Sequence, residues 1–157
     1  MRTTATPPRN RAVLAVLAVL AIPAVSTTVS AQADAGAAVT YMPAAQVSAA
    51  FAKGQPLLEV ARYKIHASRR EAAGMAEVHA RDTDIIYVLE GTATFVTGGT
   101  VVSGKTVAPD EIRGSMIQGG ETRTLKRGDV MVVPNGVPHW FKEVQGPFLY
   151  YVVKVVE

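Results

Sequence analysis

Glu77, His79, Asp82 and Asp84 crowd together in "EVHARDTD", immediately ahead of the apolar run "IIYVLEG" that closes at Gly91. Carboxylates next to a buried segment are costly unless they are paired or bind a cation. Imidazole and carboxylate are also the side chains that hold divalent ions. Residues two apart on a strand face the same way. Glu77 and His79 therefore project together, and Arg81 shares their parity. "RDTD" makes a turn, and an antiparallel return brings Asp84 beside His79. Downstream, "GDVMVVPNGVPHWF" gives a strand, a tight Pro134-Asn135-Gly136 turn, and His139 at the start of the next strand.

The elements that must position these groups are mostly strands. "MPAAQVSAAFAKG" predicts one short helix, with Pro43 in its first turn, Val47, Ala50 and Phe51 on one face and Gly54 as its stop. It is expected to pack as a lid or dimer contact. From Leu57 onward the pattern changes to period two or to short apolar runs. Strands are expected at Leu58–Ser68, Ala76–Arg81, Ile85–Glu90, Ala93–Thr97, Glu121–Leu125, Val130–Val133, His139–Glu143 and Phe148–Val155. Gly74, Gly91, Gly98-Gly99, Gly119-Gly120, Gly128 and Gly146-Pro147 punctuate them as turns. Many short strands with such turns predict an all-β sandwich or barrel. Ser103–Gly120 has weak periodicity and is expected to leave the barrel as a loop or added hairpin that can cover its mouth.

These residues resemble the two motifs of the cupins. In the first, a His-x-His pair is followed after three or four residues by Glu, and six residues later by Gly. Here Gly91 closes the motif, Asp84 stands for the Glu, His79 is the second histidine and Glu77 replaces the first. In the second motif, Gly128, Pro134, Gly136 and His139 all match at the family spacing, and Glu143 stands where the family has Asn. The resemblance covers about Leu57 to Val155. It implies a double-stranded β-helix (cupin jelly roll) preceded by the short helix. It also implies a divalent metal held by Glu77, His79, Asp84 and His139. Both replacements keep groups that can ligate. Two carboxylates and two imidazoles bring a divalent ion to a net charge of about zero, against about +1 for three histidines and one glutamate. A less positive ion acidifies its bound water less, and oxygen-rich ligands favour harder ions. Mn, Fe or Zn is the expected ion. A second alignment takes His79 as the first histidine and puts Arg81 in place of the second. Arginine offers no free lone pair, so His79, Asp84 and His139 would remain, a two-histidine, one-carboxylate set. The spacing favours the four-ligand version, and Glu77 is where the two differ.

Around the metal, Arg81 is a candidate for a substrate carboxylate or phosphate. Phe141 has the parity of His139 and is expected to line the pocket. Glu143 is expected on that face as a rim residue or general base. Arg113 is a weaker substrate-contact candidate, and His66 and Tyr150 are expected to be structural.

Composition sets the class. Arg2, Arg9 and Arg11 precede an apolar run from Ala12 to Val25, and Val29 and Ala31 are small residues ahead of Gln32. That is the three-part pattern of a secretory signal, and the run is shorter than the ~20 apolar residues a membrane span needs. Residues 1–31 are expected to be a signal peptide, 32–56 an extension with the helix, and 57–157 the barrel. The chain carries 16 Lys plus Arg and 13 Asp plus Glu, and three of those Arg lie in the leader. The remainder is balanced, with no basic patch for nucleic acid. No cysteine is present, so neither disulfides nor a lipid anchor at the cleavage site are available. A periplasmic or secreted protein with no stable membrane anchor follows. It is expected to act on a small-molecule ligand, as a metalloenzyme of dioxygenase, isomerase or lyase type, or to bind without catalysis, or to be a jelly roll that has lost its metal. The C-terminal "FLYYVVKVV" alternates little, so it is expected to be covered on both faces, which points to a homodimer.

Overall fold

The computed structural model describes residues 38–157, and the leader expected at 1–31 lies outside them. Within that span the elements run α1 (Ala44–Lys53), β1 (Gln55–Glu59), β2 (Tyr63–Arg70), β3 (Ala76–His79), β4 (Asp82–Thr97), β5 (Thr100–Val102), β6 (Lys105–Ala108), β7 (Glu111–Gly114), β8 (Met116–Gln118), β9 (Glu121–Lys126), β10 (Val130–Val133) and β11 (His139–Val156). The fold is all-β, a double-stranded β-helix with a curled antiparallel sheet and one short helix.

Two long strands build the barrel. β11 pairs along its length with β4 and also takes β2 and β3 as neighbours. β4 in turn pairs with β9 and β10. Each was expected as two strands split by a glycine turn, at Gly91 and at Gly146-Pro147. Instead each runs through, bending where the other bends. Gly91 has φ +82°, and a Cβ there would collide with the Pro147 carbonyl oxygen. The register slips between Gln145 and Leu149. A bulge and a glycine at the same level let both strands turn a corner together and keep pairing.

Leu58–Ser68 was expected as one strand and is a hairpin. β1 and β2 pair antiparallel, with Val60 N–H donating to the Tyr63 carbonyl at 3.0 Å. No glycine or proline occupies that turn, so its signal was missing. The 103–120 excursion forms a hairpin, with β6 on β7, and β7 extends the sheet beyond β3.

The barrel core is Ile86, Val88, Ala93, Phe95, Leu125, Val133, Phe141, Phe148, Tyr150 and Val152. Phe95 and Phe148 are fully buried. The outer side of β2 and β11 is covered by the chain's own helix. Ala50 and Phe51 of α1 pack with Ala67, Leu149 and Tyr151, and the Phe51 and Tyr151 rings meet edge-on at 4.9 Å. So α1 explains part of the weak alternation in the C-terminal strand. It covers the barrel wall rather than the barrel mouth. Ile85, Tyr87, Val130 and Val132 remain exposed on the outer side of β4 and β10.

Candidate metal centre

β3 presents Glu77 and His79. His139, the first residue of β11, lies directly across from Glu77. Gly136 N–H donates to the His79 carbonyl at 2.7 Å, so the Pro134-Asn135-Gly136 turn is tied to β3 and places His139 at its level. β4 adds Asp84 from the strand beyond. Glu77 Oε2 lies 3.8 Å from His79 Nε2 and 3.9 Å from His139 Nε2. Asp84 Oδ2 lies 3.6 Å and 3.8 Å from the same two nitrogens. The donors of Glu77, His79 and His139 all fall within 4.8 Å of one another, a group that could hold a metal ion. Asp84 reaches both imidazoles, but its two oxygens also accept from Lys154 Nζ at 2.7 and 3.0 Å.

Burial holds His139 below the ordinary histidine value of 6.5. Asp84 pulls against that shift, and His79 reinforces it. His139 Nδ1 also faces the Val137 carbonyl at 3.2 Å, a contact that sets the ring with Nε2 inward. His79 is lowered by burial and by Lys154, against Asp84, Glu77 and Glu111. Both rings are therefore neutral near pH 7, the form that ligates. Donors bound at about 2.0–2.2 Å stand about 3.0–3.5 Å apart around a tetrahedral or octahedral ion. The carboxylate–imidazole separations of 3.6 to 3.9 Å lie within about 1 Å of that range. The donor set fits a divalent ion.

The donors sit in a cavity of about 320 Å³. Phe141 lines it, packed against Phe95 at 4.5 Å between ring centroids. The structure does not bring Arg81 or Glu143 to this cavity. β3 ends at His79, and Arg81 is exposed, its Nε donating to the Glu157 carbonyl at 2.6 Å. A register slip between Phe141 and Glu143 breaks the parity that would have aligned Glu143 with His139. Glu143 is exposed and accepts from Thr94 Oγ1 at 3.2 Å.

Sequence reasoning missed Lys64, Arg70, Glu111 and Lys154, and read Tyr150 as a core or interface residue. All line the cavity, together with Arg113 and His66. A signal existed in β2, "YKIHASRR". Lys64, His66, Ser68 and Arg70 alternate with residues of the opposite face, so the polar side of this strand is the one that faces the barrel interior.

A sequence profile described as cupin matches residues 39–155. A search of curated proteins gives no match. Among solved structures, a Bacillus halodurans protein superposes with a TM-score of 0.55 at 11% identity, covering 79% of this chain and 86% of its own. A Neisseria meningitidis protein gives 0.51 at 15% identity, with 74% and 99% coverage. An uncharacterized conserved protein with a double-stranded beta-helix domain from Klebsiella pneumoniae gives 0.50 at 17% identity, with 76% and 91% coverage. At these identities the structures speak to the fold, while the profile spans most of the chain with both motifs inside it. The chain belongs to the cupin family.

Proposed function

We propose that this cupin binds a divalent ion through Glu77, His79 and His139, with Asp84 as fourth donor, and acts on a small organic molecule there. The observation that carries this reading is the convergence of those donors, two of them neutral imidazoles, inside one cavity. Mn, Fe or Zn suits a set of two imidazoles and two carboxylates. Bound there, the ion would polarise a substrate oxygen as a Lewis acid. The chain's own groups do the rest. Burial leaves the imidazole lone pairs free of protons. Lys154 orients Asp84. Ile86, Phe141 and Val152 form the apolar part of the wall that limits water. Dioxygenase, isomerase and lyase chemistry all suit such a site. The leader supports placing the protein in the periplasm or outside the cell.

A second reading is favoured by Lys154, which holds both Asp84 oxygens as a metal would. In it the barrel is a jelly roll without a metal, neutralised by its own cations. Elemental analysis of periplasmically expressed protein separates the two. The wild type should carry near-stoichiometric metal, and Glu77→Ala and His139→Ala should lose it. Equal metal content in all three overturns the assignment. Metal-dependent turnover of small organic acids, sugars or phenolics then separates an enzyme from a metal-binding protein without catalysis.

A further inference from the structure

Arg70 is built into the cavity in a way that an incidental ion pair does not require. Its Nε donates to Tyr150 Oη at 2.9 Å. Its guanidinium carbon lies 4.4 Å from the centroid of the Phe141 ring. Burial raises the Tyr150 pKa above its ordinary value despite Arg70, so the phenol is neutral and accepts the hydrogen bond from Nε. Its Nη1 end lies close against Gly74, where an added Cβ would stand 2.5 Å from Nη1. Ring, phenol and glycine together fix the guanidinium plane. Its Nη2 lies 3.7 Å from Glu77 Oε1, beyond hydrogen-bond distance, and Arg113 Nη2 lies 3.9 Å from the same oxygen. Arg113 is already committed to Glu111 at 2.6 Å, whereas among the described residues Nε supplies Arg70's only side-chain hydrogen bond.

The charge of the wall adds a direction. Glu59, Glu77, Asp82, Asp84 and Glu111 face Lys64, Arg70, Arg113 and Lys154 around the cavity. Five carboxylates thus face four Lys and Arg side chains, and a divalent ion would move that balance two charges toward positive, which favours an anion in the loaded site over the empty one.

We propose that Arg70 is a binding residue for a small carboxylate ligand that also reaches the metal, and that metal must bind first. This rests on the metal-binding reading above. The carboxylate would give one oxygen to the ion and the other to the Nη groups of the guanidinium, whose Nε is already held by Tyr150.

The test uses the full mature chain and Mn²⁺. Calorimetry first measures Mn²⁺ binding, then titrates oxalate, with acetamide as the neutral control, into loaded and metal-free protein. The expected result is oxalate binding to loaded protein only, and none of acetamide. Arg70→Met, assayed at saturating Mn²⁺, should weaken oxalate about tenfold or more, the range for losing a charged hydrogen bond. Arg70→Lys should fall between. Gly74→Ala, which leaves every charge in place but displaces Nη1, should also weaken oxalate, and it serves if Arg70→Met fails to fold. Oxalate binding unchanged in Arg70→Met and Gly74→Ala, or equal with and without metal, overturns this proposal and leaves the metal site standing. Tighter binding of orthophosphate than of oxalate overturns the carboxylate class. Absence of Mn²⁺ binding overturns both readings.

Discussion

His139 on β11 lies directly across from Glu77 on β3, and their Nε2 and Oε2 atoms come to 3.9 Å. One antiparallel pairing therefore joins the two motifs of the chain through residues separated by more than half of the barrel's sequence. Glu77→Gln keeps the side chain's size and removes its charge. Since loss of a group that merely supports a ligand weakens metals by about 10–100-fold, replacing this anionic donor by a neutral amide should weaken Mn²⁺ or Zn²⁺ by about 100-fold. Titration against a chelator of known affinity measures it.

Lys154 and Asp84 are a cross-strand pair at 2.7 Å, and both side chains are largely buried. Removing one partner of such a pair leaves a buried charge uncompensated and costs about 3–5 kcal/mol. Lys154→Met should therefore destabilise the metal-free protein by about that amount. A divalent ion can replace the missing charge, so metal should raise the Tm of Lys154→Met more than that of the wild type. Thermal melts with and without Zn²⁺ read both effects, and equal gains would contradict this role.

Burial keeps both imidazoles below the ordinary histidine value. As pH falls through about 6.5, the unfolded chain takes up protons before the folded one does. The contribution of His79 and His139 to stability is therefore fully present above that range and is lost on acidification, until the folded rings protonate too. Urea midpoints of the metal-free protein should fall between about pH 7.5 and 5.5. The slope should flatten in His79→Asn/His139→Asn. An unchanged slope would mean that other groups set it.

Phe95 is fully buried, packs at a tilt against Phe141 with ring centroids 4.5 Å apart and lies 6.0 Å from the His139 ring. Phe95→Ala should cost about 3–5 kcal/mol. It should also loosen His139 and lower metal affinity, whereas Phe148→Ala, whose ring is not among those against His139, should cost similar stability with less effect on the metal. Denaturant melts and metal titration of both variants make the comparison.

Much of the barrel and the centre of the site were legible in the chain. Glu77 and His79 share parity on one short strand. "GDVMVVPNGVPHWF" carries its own turn, so His139 could be placed from a few residues of local pattern. The covering of the C-terminal strand was legible only in part, because a helix of the same chain supplies some of it.

What local pattern could not carry depends on register between distant strands. Arg70 meets Tyr150 across 80 residues and Lys154 meets Asp84 across 70. Neither pair follows from spacing, because the β2–β11 and β4–β11 registers come from packing the whole barrel. A slip after Phe141 turned Glu143 outward, since side-chain direction has a period of two and one extra residue reverses it. The early end of β3 left Arg81 at the surface. Residue types and short spacings alone marked this chain as a cupin with side chains that could hold a metal ion. Only the tertiary structure decided which charges surround them, because a side chain's neighbours across a sheet are chosen by long-range pairing.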